Sequence, residues 1–135
     1  MKLDRDSIIS QALDGFFLAL NGKDIARLRQ SFRPECQMII PSSDLLYKDA
    51  HDLIVHLVDF TESFRTIDFH DFTLVPDPQE GRLAATFTVT LIDDEGVTKE
   101  MRNANFFEFA DDGRISRVLI IATQPLDKGF QVGRS

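Results

Sequence analysis

The sequence predicts an α+β domain: three N-terminal helices packed in a strongly curved antiparallel sheet that leaves a pocket at its open end. Three observations lead there. Apolar residues recur at three- and four-residue spacing up to about Phe64, then alternate with polar ones from Ile67 onward. The alternating segments are separated by "PDPQEG", "DDEG" and "ADDG", turn signals short enough to join neighbouring antiparallel strands. The 135 residues suffice for one core and leave no room for a second. A single domain over residues 1–135 is therefore expected, with its core at about 7–123. The remaining segment, 124–135, "QPLDKGFQVGRS", reads as a loosely held extension because it has few apolar residues.

Each element follows from its own pattern. Ile9, Ala12, Leu13, Phe16, Phe17 and Leu20 form the apolar stripe of a helix over Asp6–Leu20. Asn21 and Gly22 suit its end, and Asp24 can cap a second helix, "IARLRQSF", with Ile25, Leu28 and Phe32 on one side. "CQMII" reads as a brief strand and "PSSD" as a loop. A third helix is expected from about Asp49 to Phe64, because Leu53, Leu57, Phe60 and Phe64 line up with His56 on the same side. "IDFHDFTLV", "RLAATFTVTLI", "VTKEMRNANFFEF" and "RISRVLIIAT" then read as a sequential antiparallel meander. In the first of these, strict alternation puts Asp68, His70, Phe72 and Leu74 on one face, and His70 and His51 are expected at the surface.

The third strand carries an anomaly. Asn103, Asn105, Phe107 and Phe109 share one face, although Asn is a poor strand former. Two amides on an aromatic face read as hydrogen-bonding groups aimed into a cavity lined by inward strand positions. On the opposite face lie Arg102, Ala104, Phe106 and Glu108, and Val118–Ala122 is apolar on both sides. Three helices can cover only one face of the sheet, so a homodimer through the outer sheet face is expected.

Composition narrows the function classes. An apolar fraction of 43% and a charged fraction of 27% are ordinary for a soluble protein, and no apolar run approaches the ~18 residues of a membrane helix. The net charge of -7 argues against nucleic acid as a partner, since the phosphate backbone demands a concentrated positive surface. The charged start "MKLDRDSIISQ" lacks the pattern of an export signal, and Cys36, the lone cysteine, has no disulfide partner. A cytoplasmic setting is expected, with Cys36 a buried, inert thiol beside an apolar strand. His51 and His56 are five residues apart, about 140 degrees around a helix, which is wrong for two ligands of one metal ion. Neither a metal nor a cofactor is expected.

The order of elements resembles the nuclear transport factor 2-like superfamily, which includes steroid delta-isomerases, SnoaL-like polyketide cyclases, scytalone dehydratase and limonene epoxide hydrolase. The resemblance covers about Ser7 to Thr123 and rests on "FFLALNGKDIARLRQSF", on the Pro-terminated strand "CQMIIP" and on the hairpin "FFEFADDGRISRV". It implies a cystatin-like cone fold, commonly a homodimer, without implying one chemistry. Position by position, the isomerase tyrosine that donates to the substrate oxyanion is matched by Phe16, and the proton-shuttling aspartate by Ile40. Neither can handle a proton. The second oxyanion donor, an aspartic acid in the isomerases, is matched by Asn105, which can still donate but does not titrate.

The expected site is therefore a pocket lined by Phe16, Met38, Ile40, His56, Asn103, Asn105 and Phe107. It would take a small apolar or aromatic ligand with a polar group oriented by Asn105. An isomerase, dehydratase or cyclase would use His56 as the acid-base group, since imidazole titrates near neutrality, and Asn105 as oxyanion donor. The alternative is a non-catalytic binding or protein-interaction module.

Overall fold

The computed structural model describes residues 3–123; the extension expected at 124–135 lies outside the described residues. The chain opens with α1 (Arg5–Ala12), whose N-cap Asp4 accepts from Ser7 N while Ser7 Oγ accepts from Asp4 N. It continues through a π-helical turn (Leu13–Phe17) into α2 (Leu18–Asn21). Together these make the first helix expected from the apolar stripe, one residue longer at each end. The π turn is held from outside: Ser31 Oγ donates to Gly15 O at 2.9 Å and accepts from Arg27 Nη1 at 2.9 Å. Phe16 and Phe17, consecutive in the turn, are both buried.

Asn21 ends this helix and reaches the sheet. Its amide donates to Phe69 O at 3.1 Å and accepts from Phe69 N at 2.7 Å, as a neighbouring strand would. Asp24 then caps α3 (Ile25–Ser31) by accepting from Arg27 N.

The strand expected at "CQMII" is longer, β1 (Phe32–Ile40). A 3-10 turn (Pro41–Ser43) and left-handed Asp44 fold it back onto β2 (Leu45–Tyr47), which pattern reading missed because three residues show no period. Capped by Asp49, α4 (Ala50–Ser63) follows. The meander is β3 (Thr66–Asp77), β4 (Arg82–Ile92), β5 (Thr98–Phe109) and β6 (Ile115–Ile121), and the sheet order is β2-β1-β6-β5-β4-β3.

Two expectations need correction. The sheet is mixed rather than wholly antiparallel, because β1 lies parallel to β6 with Met38 beside Val118. The chain leaves β1, crosses through α4 to the far edge and returns strand by strand, so the last strand meets the first running the same way. The second correction concerns β3. Asp71 adopts φ 58°, and the register with β4 shifts between His70 and Thr73. This bulge inserts one residue and reverses the alternation. Asp68 and His70 therefore face outward, whereas Phe72 and Leu74 pack against the core. Arg102 holds the bulge, its Nη1 donating to Asp71 O at 2.8 Å and to the Asp71 carboxylate at 3.2 Å.

Inward residues of β4 and β5 meet the first helix in an aromatic core, where Phe17 lies 4.8 Å from Phe87 and 5.7 Å from Phe107 between ring centroids. On the outer face, Leu46, Ile39, Leu119, Phe106, Ala84 and Val75 stand side by side in register across all six strands. Leu46, Phe106 and Val75 are 56%, 47% and 62% exposed.

Candidate ligand-binding cavity

The cavity lies between the inner face of the sheet and α4. Asn105 sits between Ile120 on β6 and Ala85 on β4. On the opposite side α4 closes the space with His56, Leu57 and Phe60. The resulting space is narrow, about 50 Å³.

Of the residues expected at the site, the structure brings Phe16, Met38, Ile40, His56, Asn103 and Asn105 together around this space. Among the described residues Leu20, Leu57, Phe60, Phe69, Phe87 and Ile120 line it as well. Phe107 is a correction: it faces inward as expected, but its ring lies 5.3 Å from Phe16 and is enclosed in the aromatic core. Alternation defines a face, and position along the strand decides whether that face meets a cavity or a packed ring. Phe16 and Ile40 present only hydrocarbon to the space.

The two amides differ in their partners. Asn103 Oδ1 accepts from Thr123 N at 3.1 Å, tying the end of the β6 segment to β5. Asn105 is 2% exposed, and among the described residues its Oδ1 receives no hydrogen bond. A buried acceptor left unsatisfied costs roughly 1–3 kcal/mol, so this atom is a site of unmet demand inside the cavity wall.

His56 has a partner that sequence reading missed. Tyr47, the chain's only tyrosine, places its hydroxyl 2.8 Å from His56 Nδ1, with the rings 4.6 Å apart. The β1–β2 hairpin makes this contact possible by setting Tyr47 beside Met38. The signal in the sequence was a lone tyrosine nine residues ahead of the histidine. Burial lowers the His56 pKa below its ordinary 6.5, opposed by the charge of Asp59, so the imidazole is neutral at pH 7. Burial also raises the Tyr47 pKa, which keeps the phenol protonated. When Tyr47 donates to Nδ1, the imidazole proton resides on Nε2 and is free to donate to a ligand.

The remaining candidates lie elsewhere. His51 is exposed, and His70 meets Thr90 Oγ1 at 3.0 Å on the outer face. Cys36 is fully buried and its thiol is pushed up to about 12 by desolvation. Among the described residues no group of His, Cys, Asp and Glu is arranged to hold a metal ion, and no helix is long and apolar enough to cross a membrane.

No protein-family model matches the sequence, and no curated protein sequence matches it either. The likeness lies in three dimensions. A structure described as a candidate isomerase from Bacillus subtilis superposes with a TM-score of 0.79 at 16% identity, covering 95% of this chain and 94% of that one. A candidate polyketide cyclase from Xanthomonas campestris pv. campestris gives 0.77 at 16% identity, over 94% and 96% of the two chains. A protein of unknown function with a cystatin-like fold from Methylobium petroleophilum gives 0.76 at 18% identity, over 93% and 81%. The fold of this chain is thus the cystatin-like cone that these structures share.

Proposed function

We propose that this protein binds a small, mostly apolar molecule inside the cone, oriented by Asn105. One observation carries the reading: a buried amide whose acceptor has no donor among the described residues stands in the wall of a cavity whose lining is mostly hydrocarbon, with His56 and Asn103 its other polar side chains there. Small-molecule sites divide the work this way, apolar lining for affinity and a few polar atoms for orientation. The cavity of about 50 Å³ is smaller than the roughly 150 Å³ that takes up benzene in an engineered core, so an aromatic occupant requires side chains such as Met38 to swing aside. Native mass spectrometry of the purified protein tests this. A bound small-molecule mass that Asn105→Leu weakens supports the reading, and a cavity that takes up no small apolar molecule overturns it.

A second, catalytic reading has its own support in the Tyr47–His56 hydrogen bond. A neutral imidazole, held by a phenol and facing the same space as Asn105, is a general acid-base group of the kind an isomerase, dehydratase or cyclase needs. Under it His56→Ala abolishes turnover with the fold intact; under the binding reading the same change only alters affinity. We further propose a homodimer through the outer sheet face, supported by the apolar row from Leu46 to Val75. A cytoplasmic setting suits a chain whose lone cysteine is buried.

A further inference from the structure

We propose that the occupant of the cavity is an uncharged molecule carrying a hydroxyl group, and that Asn105 binds it through that hydroxyl. This rests on the ligand-binding reading above and adds the chemistry of the anchor. Asn105 Oδ1 has almost no open surface and no donor among the described residues, so an occupant reaches it once the amide turns toward the cavity, and must then bring the donor. A carboxamide presents an acceptor and a donor side by side, and a hydroxyl answers both, since its O–H donates while its oxygen accepts. A ketone or an ether only accepts, and would leave Oδ1 as unmet as before.

The rest of the wall sharpens the choice. Asn103 has already engaged its Oδ1 with Thr123 N, so only its NH₂ remains for an occupant. The two amides are therefore complementary, Asn105 needing a donor and Asn103 offering one. Among the described residues no Asp, Glu, Lys or Arg lines the space, and an ionised carboxylate or ammonium would find no counter-charge among them. Burial keeps His56 neutral as well, so it offers no compensating charge at pH 7. Phe16, Met38 and Ile120 surround the amide with hydrocarbon that suits an apolar body.

The test is a titration of the full-length, isotope-labelled protein with phenol, anisole, acetophenone, toluene and benzoate, followed by NMR at the Asn105 side-chain amide and the cavity methyl groups. Phenol should bind about tenfold or more tightly than the other three uncharged probes, the effect expected for filling an orphaned acceptor. Benzoate should not bind. In Asn105→Leu the preference for phenol over toluene should collapse; if that variant does not fold, Asn105→Ala serves the same comparison. Equal or tighter binding of anisole or acetophenone overturns the hydroxyl assignment and leaves the cavity reading standing. Equal binding of all four uncharged probes does the same, by showing that an enclosed water satisfies Oδ1. If none of them perturbs a cavity resonance, the ligand-binding reading itself falls, and this inference with it.

Discussion

Asn105 and His56 are each out of balance with their surroundings, and in each case the imbalance makes a measurable prediction. Asn105 is a buried polar group with an unmet acceptor. Replacing it with leucine, close in volume and without that demand, is expected to raise stability by about 1 kcal/mol in denaturant unfolding while impairing ligand binding. A destabilised Asn105→Leu would instead mark the amide as part of the scaffold. His56 makes a pH prediction. Its folded pKa is depressed, so the unfolded state takes up a proton more readily than the folded state. Its contribution to stability is present above its ordinary value of 6.5 and is lost as pH falls through the depressed folded value. His56→Gln should flatten that part of the stability–pH curve, and Tyr47→Phe should move the His56 titration in an NMR pH series by removing its hydrogen bond.

At the level of elements, the first helix shows how local geometry is enforced from elsewhere. A Cβ built on Gly15 would stand 2.6 Å from Ser31 Oγ, the atom that donates to the Gly15 carbonyl. Gly15→Ala must therefore displace Ser31 and the Arg27 bond to it. We expect a loss of about 1–3 kcal/mol in chemical unfolding, although alanine is ordinarily the better helix former. A neutral or stabilising Gly15→Ala would show that the helix shifts freely there. The bulge on β3 is a second case: Arg102 satisfies the backbone at Asp71, whose left-handed conformation permits the change of register. Nothing in "IDFHDFTLV" announces that bulge, because the arginine that holds it lies 31 residues further along.

For the whole molecule, the unpaired surface of the sheet is the open question. An in-register apolar row with exposed Leu46, Phe106 and Val75 is the kind of surface that a second copy covers. Phe106→Glu should convert a dimer to monomer in analytical ultracentrifugation without disturbing the cavity, since Phe106 points away from Asn105. A wild-type chain that sediments as a monomer would remove the dimer from the proposal.

Much of this architecture was legible in residue order alone. Period and turn chemistry are local properties, so the stripe from Ile9 to Leu20, the cap at Asp24, the third helix from about Asp49, the four meander strands and the inward placement of Asn103 and Asn105 could all be read from neighbours in the chain. What the tertiary structure decided involves partners distant in sequence. The parallel β1–β6 pairing needs both ends of the domain, and the reversal of Phe72 needs Arg102. The loss of Phe107 to the core needs Phe16 and Phe17. Tyr47 reaches His56 only after β2 folds back onto β1, and Asn105 becomes buried only once β5 is paired between β4 and β6. A sequence carries periodicity because each turn or pleat repeats within a few residues; whether a buried atom finds a partner depends on the closing of the whole sheet.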